Sequence, residues 1–318
     1  MKLVKKSLIY YFLTVLGSFN LIYGQETPIN PVSYRLFTPF IFNPAIAGSK
    51  DISTVDLMLS NYGQSNSQVA SANLRLSKSH KEYFSSLSTP EFTKIGVGAY
   101  LFNDLNDLSR NIGIGGTGSY HIQLDEKALS FLSFGVSAKA VYNIYEGDPD
   151  LSKPAKNTFF PNLDAGVYYH NSGLFAGISA TNLLGNPEDP DSLGSYTIPV
   201  SRQFFLQAGY KIVLSRSLDI LLEPSLIINT DDSFSGKITD MLEPALKLYA
   251  GSFCLGTYFN DFEKISFFFQ YNYQRLYIGT YFALPFNSPF YKNPLLAEFA
   301  FGINITAYKS GISRRNHW

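Results

Sequence analysis

Apolar residues alternate with small or polar ones through most of the chain. The clearest stretch is 296–308, in which every second residue is apolar: Phe299, Phe301, Ile303, Ile305 and Ala307. The residues between them are small or carry a polar group: Glu298, Ala300, Gly302, Asn304, Thr306 and Tyr308. Successive side chains of a β-strand point to opposite faces, so this stretch predicts a strand with one wholly apolar face.

The same alternation recurs along the chain and predicts about fourteen strands. They are 53–62, 68–77, 93–102, 112–124, 132–143, 163–170, 174–182, 203–212, 218–229, 240–249, 253–259, 265–273, 276–284 and 296–308. Single-chain outer-membrane barrels have an even number of strands, and a tilted strand crosses the bilayer in about nine to eleven residues. A soluble sandwich would give one such strand equally well, but the recurrence favours an all-β fold, a transmembrane antiparallel β-barrel with polar and glycine faces toward its lumen.

Residues 1–24 have the features of a cleaved signal peptide. They contain a basic start with three lysines and an apolar stretch over 8–16, and cleavage would precede Gln25. An uncleaved membrane anchor is the alternative, although Gly17 and Asn20 weaken a spanning helix. The sequence predicts export to the outer membrane.

The rest of the chain divides into three parts. Residues 25–52 are rich in proline, which interrupts any long helix or strand, and are predicted to be a periplasmic or lumenal lead-in. The barrel covers 53–308. A basic C-terminal tail, 309–318, follows it and is interpreted as a solvated terminus, with a docking segment as the alternative.

Connections between the predicted strands alternate in length. The short ones are 125–127, 171–173, 215–216 and 274–275. The long ones are 144–162, 184–201, 230–239 and 285–295. With both termini in the periplasm, the short turns would be periplasmic and the long loops extracellular. The connection 78–92 is long yet falls on the periplasmic side, so either the first strand pair is set wrongly or the barrel has a periplasmic protrusion.

Composition narrows the function classes. The 318 residues include 25 Lys and Arg against 25 Asp and Glu, so there is no electrostatic basis for nucleic-acid binding. Charged residues make up 16%, below the roughly 25% of an ordinary soluble domain, and 22 Tyr and 27 Phe suit lipid-facing bands and aromatic girdles.

After the signal peptide no run of about 18 apolar residues occurs, which excludes a helical membrane protein. A single cysteine, Cys254, excludes an intrachain disulfide and is interpreted as a packing residue.

Candidate chemistry is sparse. Residues 113–118 contain a G-x-G-x-x-G sequence, but a dinucleotide site needs that motif to open a helix, and here it continues into a strand, so we interpret it as lumen-facing glycine. The histidines lack metal-ligand spacing and are interpreted as lumen or rim residues: His80, His121, His170 and His317.

Polar residues on one strand face do not by themselves make a site. In 218–229 the inner face would carry Asp219, Glu223, Ser225 and Asn229, which are ordinary lumen residues in a barrel. No catalytic, cofactor-binding or metal-binding residue is predicted. We expect no enzyme activity, no cofactor and no small-molecule substrate.

Four sets of stretches, in order along the chain, resemble the PorP/SprF family of Bacteroidetes outer-membrane proteins. They are 42–48 (FNPAIAG); 118–124 (GSYHIQL) with 132–136 (LSFGV); 161–169 (PNLDAGVYY) with 177–183 (GISATNL); and 223–225 (EPS) with 278–281 (IGTY) and 297–298 (AE). That family serves the type IX secretion system and gliding motility.

The resemblance implies a non-enzymatic barrel that works by docking. Its partners besides outer-membrane lipid would be periplasmic secretion-ring proteins, large secreted adhesins, or both. The first route would use 25–50, 78–92 and the 309–318 tail, and the second would use the outer loops 144–162 and 184–201.

Two other functions remain open at this point. The barrel could be an outer-membrane channel for small or hydrophobic solutes, which conductance would reveal and co-purification of periplasmic partners would disfavour. It could also be a secreted soluble β protein, which alkaline washing would release from membranes.

Overall fold

The computed structural model describes residues 36–49, 53–62, 65–76, 94–106, 109–125, 129–146, 155–185, 202–231, 238–260, 264–273, 275–285 and 296–305. They form fifteen strands: β1 Thr54–Tyr62, β2 Ser65–Arg75, β3 Ile95–Asn106, β4 Ser109–Asp125, β5 Ser130–Tyr145, β6 Lys156–His170, β7 Leu174–Thr181, β8 Gln203–Tyr210, β9 Ile212–Ser215, β10 Ile220–Asp231, β11 Leu242–Ala250, β12 Phe253–Asn260, β13 Lys264–Tyr273, β14 Leu276–Pro285 and β15 Leu296–Asn304.

The strands close into a barrel. Strands that are consecutive in sequence pair antiparallel, except β8 and β9, and β15 returns to pair with β1 from Thr54↔Asn304 to Asn61↔Ala297. Strands β8 and β9 both pair with β10 and act as one barrel strand, so the fifteen strands make a fourteen-stranded barrel. The break between them lies opposite Pro224 of β10, which has no N–H to give to the ladder. The predicted barrel and its strand number are confirmed.

The two faces of the wall differ as predicted. On β15, Glu298 and Ala300 are 1% and 2% exposed inside the barrel, while Phe301 and Ile303 are 37% and 40% exposed on its outer face. Because the side-chain period of a strand is two, one alternating sequence covers both the apolar outside and the small or polar inside.

Strand boundaries differ from the predictions around β6. The predicted loop 144–162 is too long, because β5 runs to Tyr145 and β6 begins at Lys156. Pro161 lies within β6, and its missing N–H costs no hydrogen bond of the sheet. Leu163 O accepts from Leu183 N on the β7 side, so the nitrogen of Pro161, two residues earlier, faces the same side. On that side β6 pairs with β7 only from Ala165 onward.

Two predicted strand starts are also wrong. Strand β10 begins at Ile220, and Asp219 belongs to the preceding turn, where it is exposed and has a φ of 50°, so it does not lie on the inner face. Residues Ile238–Met241 form a short helix, α1, and β11 starts only after it. No helix among the described residues is long and apolar enough to cross a membrane, which does not bear on crossing by strands.

The turns at one end of the barrel are short, and we call it the short-turn end. Asn171–Gly173 joins β6 to β7 there, and Gly251–Ser252 joins β11 to β12. The chain also leaves β2 and enters β3 at this end, so the predicted first strand pair is set correctly and the long connection belongs to the short-turn side. Residues 77–93 themselves lie outside the described part of the chain, as do His80, His317 and the tail.

Candidate functional site

A segment of the chain N-terminal to β1 lies inside the barrel. We call residues 36–49 the plug. Phe40, Ala45 and Ala47 in it are 1%, 0% and 0% exposed. The inner face of the barrel wall carries small and polar side chains. A mostly apolar plug is shielded from water there only if it packs closely against that wall.

The plug is built from two single-turn 3₁₀ helices, Pro39–Ile41 and Pro44–Ile46. Each begins with proline, whose missing N–H costs nothing at a first helical position. Asn43 caps the second, since its Oδ1 accepts from Ala45 N at 3.1 Å. Gly48 ends the plug with a φ of +63°, which glycine adopts without strain, and donates its N–H to Asn73 Oδ1 at 2.7 Å.

Two glycines of the wall touch the plug backbone directly. A Cβ on Gly96 of β3 would overlap the carbonyl of Ala47, and one on Gly135 of β5 would overlap the backbone of Pro44 and Ala45. Because these are main-chain atoms, they cannot rotate away. Only glycine lets the wall and the plug approach this closely.

Three more glycines receive plug side chains. Phe40 packs over Gly98 of β3, where an added Cβ would lie 2.7 Å from Phe40 Cε2. A Cβ on Gly166 of β6 would overlap Asn43, and one on Gly279 of β14 would overlap the ring of Phe37. The plug is therefore seated on glycines from both sides of the barrel.

The glycine contacts also give the height of the plug. All five glycines lie within six residues of the strand ends at the short-turn end. The plug accordingly fills the half of the lumen nearer to that end.

His121 of β4 ties the plug to the wall with hydrogen bonds. Its Nε2 lies 2.9 Å from Ala47 O, and Ser119 Oγ donates to the same carbonyl at 2.5 Å. The other ring nitrogen of His121 lies 2.6 Å from Ser133 Oγ on β5. The predicted lumen position of His121 is correct, and the side chain is a structural anchor. Asn43 adds a bond from its Nδ2 to Val167 O at 3.3 Å.

The opposite part of the wall fills the lumen with its own side chains. Tyr258 donates to Glu243, and Leu36 of the plug packs against a buried cluster that contains Tyr258, Cys254 and Tyr281. Cys254 is 1% exposed, as expected for a packing residue.

Two of the carboxylates buried in the lumen, Glu223 and Asp164, are paired with lysines. Lys247 Nζ lies 3.1 Å from Glu223 Oε1, and Tyr249 OH donates to Glu223 Oε2 at 3.2 Å. Lys139 Nζ lies 2.8 Å from Asp164 Oδ1. A buried carboxylate is tolerated when it is paired and hydrogen-bonded in this way.

Asp164 and Asn162 of β6 also end strand β7. Asn182, with a φ of 58°, donates its N–H to Asp164 Oδ1 at 2.8 Å, and Leu184 N donates to Asn162 Oδ1 at 3.0 Å. These side-chain oxygens accept backbone hydrogen bonds that a neighbouring strand would otherwise accept. This gives a structural reason for the polar residues in the 161–169 and 177–183 sequences.

The remaining sequence motifs show no catalytic arrangement. Residues 113–118 lie within β4, where Gly113 and Gly115 face the lumen and Gly116 and Gly118 face outward. Within the described ranges no group of three or more His, Cys, Asp or Glu side chains is placed to hold a metal ion.

Comparison with known proteins gives a family match. A family model described as "Type IX secretion system membrane protein PorP/SprF" matches residues 31–297. No curated protein matches the chain.

Solved structures with a similar fold include three outer-membrane proteins. KdgM porin is 7% identical, with 80% of this chain and 99% of that chain covered and a TM-score of 0.37. BamA from Haemophilus ducreyi lacking POTRA domains 1-3 is 10% identical, with 79% and 70% covered and a TM-score of 0.38. The beta domain of the Bordetella autotransporter BrkA is 10% identical, with 80% and 99% covered and a TM-score of 0.33.

Proposed function

The chain belongs to the PorP/SprF family of type IX secretion system membrane proteins, and from this premise we propose that it is a non-enzymatic component of the secretion machinery in the outer membrane. It supports the secretion or surface display of cargo proteins by docking to other proteins, among them periplasmic ring components. Export by the signal peptide 1–24 and a part in gliding motility belong to the same proposal.

The observation that carries this proposal is the seated plug. A solute channel needs a continuous polar path, whereas here residues 36–49 contact inward glycines on β3, β5, β6 and β14. The main-chain contacts at Gly96 and Gly135 leave no gap for a solute at those points. A plugged barrel supports a docking role over conduction.

The plug also changes which surfaces are available for docking. Residues 36–49 lie inside the lumen, so they do not serve the periplasmic route. That route is left with residues 25–35, with 78–92, whose flanking strands end at the short-turn end, and with the 309–318 tail. The alternative route to secreted adhesins would use the outer loops.

A crosslinked pull-down of the tagged protein from outer membranes of its native host tests the proposal. We expect periplasmic ring proteins or a large secreted adhesin in the eluate. The purified barrel should also fail to conduct in a planar bilayer. A barrel recovered alone that conducts steadily would instead indicate a transporter.

A further inference from the structure

Strand β9 extends past the end of the neighbouring strand β7. A backbone hydrogen bond from Lys211 N to Gly173 O, at 2.7 Å, joins the two sides where β7 begins. On its other side β9 pairs with β10. Among the residues that the structure describes, no further strand pairs with β9. We call the edge of Ile212–Ser215 that faces away from β10 the free edge.

The backbone of Val213 points to the free edge. The register with β10 is kept from Gly209 to Val213, and the bulge in β9 comes only after it. In a strand, residues two apart direct their N–H and C=O groups to the same side. Since Lys211 directs its N–H to the β7 side, Val213 does the same, beyond the point where β7 begins. The free edge therefore offers a main-chain donor and a main-chain acceptor to another extended chain.

The free edge lies on the water side of the aromatic girdle. Tyr169 and Tyr210 face outward at the short-turn end, where such residues mark the membrane interface, and β9 begins two residues after the second of them. Beyond that level Val213, Leu214 and Leu218 are 55%, 57% and 67% exposed. Apolar side chains that neither lipid nor the barrel covers indicate a contact with protein.

The sequence of β9 leaves this edge unprotected. Exposed strand edges are commonly guarded by lysine or proline, which discourage the addition of another strand. The four residues of β9 are Ile, Val, Leu and Ser, so neither guard is present.

The hairpin that carries the free edge is held in place. Ser215 Oγ accepts from Leu218 N at 3.3 Å within the β9–β10 turn. Asp219 O accepts from Gly251 N at 3.3 Å, which joins this turn to the turn between β11 and β12. A preformed edge loses little conformational entropy when a partner binds.

An extended polypeptide fits the free edge, because it supplies backbone donors and acceptors at strand spacing together with apolar side chains. Residues 77–93 of the same chain leave β2 six strands away, roughly 29 Å along the wall. Half of that segment spans about the same distance when fully extended, so it has no residues left to pair with β9. The distance favours a segment of another protein.

We propose that the free edge of β9 is a docking site at which a periplasmic partner protein adds an extended, apolar segment as a further β-strand. The main-chain groups of Val213 pair with that strand, and Ile212, Leu214 and Leu218 contact its apolar side chains. The assignment deepens the proposed docking function and rests on it for the periplasmic origin of the partner.

A fluorescent peptide of sequence KTVTVTK, titrated against the full-length protein in detergent, tests the site. We expect saturable binding that Val213→Pro weakens at least about fivefold, since proline has no N–H to donate to the added strand. Proline is tolerated at this position because the N–H of Val213 does not join the ladder to β10. The matched control is Val213→Thr, which keeps the N–H and the branched side chain and should bind within about twofold.

The same peptide with N-methyl groups on alternate residues separates strand pairing from apolar adhesion. It keeps every side chain but loses backbone donors, so we expect its binding to be at least about fivefold weaker. Equal binding of the two peptides, or equal binding to Val213→Pro and Val213→Thr, overturns the assignment.

Two further results would replace the partner by another occupant. If deletion of 79–88 or of 309–318 strengthens peptide binding about tenfold, that segment of the chain itself covers the edge. If the protein is a dimer in detergent and Val213→Pro makes it a monomer, a second copy covers the edge. Either result overturns the assignment to a partner protein.

Folding and function are separated from the site in two ways. Each variant is first checked for the heat-modifiable gel migration of a folded barrel, and if Val213→Pro does not fold, the N-methylated peptide alone decides. In the native host, Val213→Pro should lower the recovery of ring proteins in the crosslinked pull-down at least about fivefold. Unchanged recovery overturns only the site, whereas a pull-down of the unmodified protein without any partner counts against the proposed function.

Discussion

At the scale of single residues, the space left by missing Cβ atoms decides whether the plug fits. Gly135 faces the plug and Gly116 faces outward, where an added Cβ would meet nothing within 4 Å. The two glycines are on neighbouring strands, β5 and β4, and so differ chiefly in what they face. Their comparison isolates the contact with the plug from the loss of glycine in a strand.

Gly135→Ala should destabilise the barrel by about 1–3 kcal/mol, because the added methyl group overlaps plug backbone that cannot rotate away. It should also raise conductance, since the plug is pushed from its seat. Urea unfolding in detergent and planar-bilayer recordings measure the two effects. Gly116→Ala is the control and should change neither. Equal effects of both substitutions would show that the plug contact does not matter.

The ion pair between Lys247 and Glu223 gives a second prediction at this scale. Lys247→Met leaves the buried Glu223 carboxylate without its cation and should lower the free energy of unfolding by at least about 2 kcal/mol. The loss is smaller than for a fully buried pair because the Lys247 side chain is 19% exposed.

Adding Glu223→Gln to Lys247→Met should recover more than about 1 kcal/mol, because no uncompensated charge then remains. Urea unfolding of both single variants and the double variant completes the cycle. Strictly additive losses would show that the two side chains do not interact in the folded barrel.

At the scale of whole elements, periodicity carries most of the information. The strands could be predicted because an alternating sequence needs only backbone geometry to become a two-faced wall, and β15 shows this from Leu296 onward. The ends of the strands could be predicted less well from the sequence. Asn157 and Pro161 have loop composition, yet pairing with β5 keeps them in β6, and that tertiary context cannot be read from propensity.

The plug could not be predicted as a site because 36–49 has no strand or helix period. Its prolines predict an irregular segment, and the sequence left both a periplasmic and a lumenal location open for it. The available signal was indirect: Gly96, Gly135, Gly166 and Gly279 recur at inward positions near the same end of their strands. Recurrent inward glycine at one height of a barrel indicates that something must approach the wall there.

The connection between β2 and β3 gives a prediction at this scale. Deleting Ser79–Ser88 should leave the barrel inserted but weaken secretion, because this long connection belongs to the short-turn end, where periplasmic partners would dock. Surface levels of the barrel and of secreted cargo are the two measurements. Deletion of the same number of residues, 187–196, from a connection at the opposite end tests the alternative outer-loop route in parallel. Normal secretion with a normal amount of barrel contradicts the docking role of 78–92.

At the scale of the whole molecule, the plug and the wall behave as one folded unit. The plug is continuous with β1, is anchored by His121 and Asn43, and packs at Leu36 on the cluster around Tyr258. A secretion component that works by docking has no need to release such a plug. A transporter would have to move it in every cycle.

Cross-linking the plug to the wall separates these two possibilities. Thr38 Oγ1 and Met58 Sδ lie 3.8 Å apart, so cysteines at both positions can be joined by a short, reducible thiol cross-linker in a Cys254→Ser background. We expect the cross-linked barrel to support secretion at the level of the uncross-linked protein. Each single-cysteine variant treated with the same reagent is the control. If cross-linking stops secretion and reduction restores it, cargo or a partner must use the lumen, because the only change between the two states is whether the plug can leave its seat.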